Sequence, residues 1–244
     1  MVGALLLTGA CGSKQEKPAA TDAADSVAIV QNQLPGDSAI YGIVCEGCND
    51  TILIFLPSIS ADPDTIDILE ASRRHQVFGR MNIGDVVAFI PNTEDAKVGD
   101  MVVNVEALKG QWRFMEKPQL RERAGMNVAE RPKLTPEQDS VLREMLQLRE
   151  FGMEIKGENT VRPISSIPYS VSTDDNSPVI FPQVKRYRQW HLLNGKLLLS
   201  ETLRDSTGTP TVSHTDTATL IVLRSDTMAL RFQDGKVQGY YKTK

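Results

Sequence analysis

From Gln189 to Lys242 the chain is a succession of short apolar runs broken by turn dipeptides, and this limits its possible folds more than any other feature. Trp190-His191-Leu192-Leu193 and Leu197-Leu198-Leu199 flank Asn194-Gly195. Thr219 to Leu223, Thr227 to Phe232 and Val237 to Lys242 follow, separated by Ser225-Asp226 and Asp234-Gly235. Each run is too short for a stable helix, and Asn-Gly accepts the positive φ angles of a two-residue hairpin turn. The expectation is an antiparallel, mainly β fold. Ahead of these strands, Ile40 to Val105 carries further short runs: 40–44, 51–56, 65–69, 77–78, 86–90 and 101–105. Five or so strands in so short a stretch imply a small barrel, OB-like or SH3-like. Hydrophobic residues make up 41% of the 244 residues, enough for packed cores, and the length suits two small units.

One segment has a helical period. Thr135-Pro136-Glu137-Gln138 offers an N-cap threonine, proline at the first helical position and a capping-box glutamine. Val141, Leu142, Met145, Leu146 and Leu148 form an apolar stripe. The pattern predicts an amphipathic helix over 136–150, ended by Gly152.

The opening residues bear on location. An apolar run from Val2 to Leu7 leads into Thr8-Gly9-Ala10-Cys11, which resembles the lipobox of bacterial lipoproteins. The resemblance makes 1–11 the signal peptide and lipobox and implies cleavage before Cys11, leaving Cys11 as first mature residue carrying diacylglycerol on sulfur. The expected location is then the bacterial cell envelope, at the outer membrane, and the membrane is a partner through that lipid. Residues 12–38, rich in Ala, Asp, Lys, Gln and Ser, read as a flexible tether. Residues 39–106 then form the OB-like unit, and 107–244 a second unit. Gly110-Gln111-Trp112 and the terminal hairpins ending in Tyr240-Tyr241-Lys242 resemble lipocalin-like barrels of secreted bacterial proteins. That resemblance implies a barrel with Trp112 plugging its closed end.

The triplet Asp-(Ser/Thr)-(apolar or Thr) begins at eight aspartates: Asp25, Asp37, Asp50, Asp64, Asp139, Asp205, Asp216 and Asp226. Roughly one or two would arise by chance at ordinary composition. The pattern resembles the O-glycosylation acceptor of exported proteins in one group of Gram-negative bacteria, which singles out Ser26 and Ser38 on the tether. The alternative is local, since Asp-Ser/Thr pairs also cap helices and start strands.

Chemistry-bearing motifs are few. Cys45-x-x-Cys48 reads as a structural disulfide or idle thiols, then as a redox pair, then as half of a metal site. Haem attachment needs histidine after the second cysteine, where Asn49 stands. Ser213-His214-Thr215-Asp216 alternates faces in a strand and is not read as a triad. No phosphate-binding glycine loop, zinc-protease motif or nucleophile elbow occurs. Net charge is −4, and the basic clusters at Arg73-Arg74-His75 and Lys185 to Arg188 are small, which argues against nucleic acid. The reading is a non-enzymatic envelope lipoprotein without a cofactor, binding a small ligand, glycan or protein through the second unit. A thiol-redox protein using Cys45 and Cys48 is the rival.

Overall fold

The computed structural model describes residues 33–121, 134–165, 178–182, 184–204 and 208–243. The fold is mainly β, as the turn-punctuated runs require. A first sheet is built from β1 (Ile40–Val44), β2 (Ile52–Leu56), β3 (Asp64–Asp67), β4 (Val77–Phe78), β5 (Val86–Pro91) and β6 (Gly99–Asn104). Their order is β3-β2-β1-β5-β6-β4, antiparallel except where β4 runs parallel to β6. A short helix α1 (Leu69–Arg73) follows β3. The sheet curls back on itself: Asp67 bridges Val98 in parallel, and its N–H donates to the Lys97 carbonyl at 2.8 Å. Inside the curl lie Leu53, Phe55, Ile66, Val87, Phe89 and Val102, with Phe55 and Phe89 edge-to-face at 5.1 Å.

The unbroken apolar run of β5 has a physical reason. Val87 and Phe89 fill the first sheet's own core, while Ala88 joins a second cluster on the opposite face. A strand buried on both faces loses the polar alternation of a half-exposed one.

A second sheet holds eight antiparallel strands in the order β10-β9-β7-β16-β15-β14-β13-β12. These are β7 (Gly110–Glu116), β9 (Arg149–Ile155), β10 (Val161–Ser165), β12 (Gln189–Leu193), β13 (Lys196–Arg204), β14 (Pro210–Leu223), β15 (Thr227–Phe232) and β16 (Val237–Lys242). Its edges nearly meet: Thr160 bridges Gln189, and Trp190 N–H donates to the Asn159 carbonyl at 2.9 Å. The result is a nearly closed barrel. At Asn194-Gly195 φ is 50° and 73°, the left-handed pair that the hairpin turn demands. Short strands β8 (Gln119–Leu120) and β11 (Val179–Ile180) pair separately. A single turn, α2 (Val105–Leu108), joins the two sheets, with the Ala107 N–H capped by the Asn104 side chain.

The predicted helix exists but is shorter than its pattern. α3 (Pro136–Met145) begins with a complete capping box between Thr135 and Gln138. It stops at Met145 instead of running to residue 150, and none of its residues is buried. The chain from Arg149 onward becomes a strand because all seven residues of β9 pair with β7, which turns Phe151, Met153 and Ile155 inward. Gly152 therefore terminates nothing. It lies in mid-strand, where a Cβ would collide with the Trp112 carbonyl, so its lack of a side chain permits the close approach of β9 to β7.

One continuous apolar cluster connects the sheets. Phe78, Ala88, Val103 and Leu108 from the first side join Trp112, Ile155, Leu192, Leu197, Leu220 and Met228 from the barrel. No helix among the described residues is long and apolar enough to cross a membrane.

Candidate functional site

The two ends of the barrel differ in what their strands bring to the interior. At the end facing the first sheet, Trp112 is completely buried and its indole N–H donates to the Leu108 carbonyl at 2.7 Å. Trp190 donates likewise to the Lys156 carbonyl at 2.8 Å. Leu192, Leu197, Ile155 and Met228 fill the space between them, and the first sheet covers the opening.

The opposite end holds a cavity of about 180 Å³. Phe114, Met153, Tyr187, Phe232 and Tyr240 line it, and Glu116, Lys185, Asp234, Lys236 and Gln238 stand around it. Tyr240 packs edge-to-face on Phe114 at 5.5 Å. Beside this cavity Asp216 gathers a polar hub. Its carboxylate accepts from Lys185 Nζ at 2.7 Å, from the Tyr187 hydroxyl at 2.6 Å and faces His214 Nε2 at 3.0 Å. The placement follows from register: Asp216 sits opposite Leu199, and His214 opposite Glu201, so the i, i+2 pair shares the inward face. Burial alone would raise the Asp216 carboxyl, but the hydrogen bonds from Lys185, Tyr187 and His214 together outweigh it, and the group lies below its ordinary range. Burial, reinforced by Asp216, pushes the Tyr187 phenol far up. The phenol therefore stays protonated and donates.

The sequence does not announce this hub: face alternation discounts Ser213-His214-Thr215-Asp216 as a triad, but does not show that His214 and Asp216 share a face that Lys185 and Tyr187 reach. β14 runs through these residues from Pro210. The available signal was the His214–Asp216 spacing on one strand face, set against the Lys185-x-Tyr187 pair. The hub ties Lys185, Tyr187 and His214 to one carboxylate. It braces the wall of a small, aromatic-lined recess.

The residues singled out from sequence are spread apart. Cys11 and Ser26 lie outside the described residues. Ser38 is exposed, yet both its N–H and its hydroxyl donate to Asn194 Oδ1, at 2.7 and 2.8 Å. Asp37 completes this clasp, accepting from Asn194 N–H at 2.8 Å and from the Tyr41 hydroxyl at 2.8 Å. Asp37 and Ser38 are thus fastened to the barrel's hairpin. Several other triplet aspartates serve neighbouring backbone or side chains: Asp64 accepts from Thr65 N–H, and Asp226 from the Thr227 hydroxyl. Cys45 and Cys48 are free thiols in the β1–β2 turn. Cys48 Sγ accepts from Ile54 N–H at 3.1 Å and lies 3.2 Å from the Ile54 carbonyl. Among the described residues no three His, Cys, Asp or Glu side chains converge to hold a metal ion. No protein-family model, curated protein or solved structure matches the chain.

Proposed function

We propose that the chain is a non-enzymatic envelope lipoprotein, anchored through lipid on Cys11, whose barrel takes a small aromatic or amphiphilic ligand at its open end. The observation that carries this reading is the recess among Phe114, Met153, Tyr187, Phe232 and Tyr240, ringed by charges of both signs. An apolar floor with a few convergent polar groups is the general form of a small-molecule site. A cavity of about 180 Å³ suits a single ring or a short chain end. The lipocalin-like description of the barrel draws support from its eight-stranded meander and from the tryptophan near the start of β7. The OB-like description of the first unit draws support from strand order: β1-β2-β3 continues through the Asp67–Val98 bridge to β6, then β5, then back to β1, with α1 after β3.

Two measurements test it. Calorimetric titration with p-cresol, an uncharged single ring, should saturate with one site per chain and be abolished by Gln238→Trp, which fills the mouth. Saturation unaffected by that substitution removes the ligand site. Native mass spectrometry of the protein taken from its own membrane should give acylated Cys11, and a bare thiol there removes the anchor. The thiol-redox alternative has less behind it. Cys45 and Cys48 sit between two strands, whereas a helix N-terminus is what favours a thiolate in such pairs.

A further inference from the structure

A larger void than the barrel recess lies elsewhere, in the angle between the two sheets. It measures about 780 Å³ and opens where the chain after β4 meets the end of β14. The joint is held by backbone, with Gly79 N–H donating to the Leu223 carbonyl at 3.0 Å. The floor is fixed by Ile68, Phe78 and Leu223 of the two packed cores, and half-buried Val77, Met81, Ile221 and Val222 supply the apolar part of its mixed surface.

Three cationic or potentially cationic side chains come to its wall from three separate elements: His75 after α1, Arg80 after β4 and Arg224 after β14. Neither guanidinium meets a carboxylate among the described residues, and Asp50 is the only acidic side chain lining the void. Some cations elsewhere are matched by carboxylates: Arg74 with Asp100, Lys97 with Asp64, Arg113 with Glu150 and Lys185 with Asp216. Arg80 and Arg224 are exposed at the edge of this cleft and have no such partner among the described residues, so their charge is available to a ligand. Guanidinium groups bind phosphate and carboxylate through paired N–H donors, and apolar surface beside them rewards an apolar body.

We propose that this cleft binds a small organic anion: a compact apolar body bearing a phosphate or carboxylate, its charge held by Arg80 and Arg224. The site is independent of the recess at the barrel mouth. Its volume lies within the usual span for small-molecule sites, roughly 300–1,000 Å³.

Cys48 lines the same cleft and supplies the reporter. The chain has three cysteines, so the full chain with Cys11→Ser and Cys45→Ser leaves Cys48 as its sole thiol. Its alkylation by a maleimide is timed with phenyl phosphate, with inorganic phosphate and with phenol. Phenyl phosphate should protect Cys48 at the lowest concentration, inorganic phosphate only at higher concentration, and phenol least of all. Adding Arg80→Gln and Arg224→Gln should raise the phenyl phosphate concentration needed by roughly tenfold or more, as loss of charged hydrogen bonds demands. Both arginines are exposed, so an unchanged melting temperature verifies the fold of that variant. Gln238→Trp should leave protection intact, separating this cleft from the barrel mouth. Absence of protection by phenyl phosphate, equal protection by phenol, or full protection in the arginine variant each overturns the proposal.

Discussion

The two ends of the barrel are made from the same strands and solve different problems. Toward the first sheet, Trp112, Leu197 and Met228 are wholly buried, and the polar atoms present are two indole N–H groups, each satisfied by a carbonyl. Toward the other end the inward positions turn to Tyr187, His214, Asp216 and Gln238, and space remains unfilled. An apolar stopper contributes stability through burial and tolerates no void. A hydrogen-bonded wall keeps its shape without filling the interior, and so can leave room. Within the barrel interior, close packing is concentrated at one end and unfilled space at the other.

Substitutions can break or sharpen that contrast. The largest effect is expected from Trp112→Ala at the sealed end, a loss of about 3–5 kcal/mol in urea denaturation. A loss under about 1 kcal/mol would mean that this end is not the keystone. Next comes alkaline pH. Tyr41, Tyr187 and Tyr240 all have phenols raised by burial, in the first two also by an aspartate. A phenol raised on folding contributes stability that is complete below its unfolded value near 10 and lost as pH rises past it. Stability should therefore fall steeply above about pH 10, with tyrosinate absorbance appearing only as the chain unfolds. Asp216 acts with the opposite sign: its depressed carboxyl contributes above the ordinary aspartate value near 4, and that contribution fades as pH drops through its folded value.

Tyr187→Phe tests the open end more gently. Losing one hydrogen bond to an ionised carboxylate should cost about 1.5–3 kcal/mol of stability, and it should also soften the alkaline loss, since one raised phenol is gone. Affinity for p-cresol at the mouth should fall as well, since Tyr187 lines the recess. The smallest effect belongs to the outer lip. Leu203 is 65% exposed, and Leu203→Ser should move stability by no more than about 0.5 kcal/mol. A larger cost there would mean that the lip is covered in the intact protein.

The sequence was informative wherever local chemistry and tertiary demand agree. Asn194-Gly195, the Thr135–Gln138 cap and the terminal strands are of this kind, because a turn or cap declares itself in a few residues. It misled where pairing overrides local pattern. Leu146 and Leu148 extend a helical stripe, yet the next residues are claimed by β7, and Gly152 looks like a helix stop while serving a close strand approach. The recess was illegible for another reason. Polar residues near a barrel's mouth can face inward, so the first half of β14 lacks the alternation that betrays a strand. The cleft depends on Arg80 and Arg224, which lie far apart in the chain and share no motif.

The clasp of Asp37 and Ser38 on Asn194 has a mechanical meaning. The first unit and the barrel's hairpin are fastened at the place where the chain leaves residues 1–32. Tension delivered from the amino-terminal side would therefore load both bodies together before it could peel β1 from its neighbours, and a sugar on the Ser38 hydroxyl would compete with that fastening.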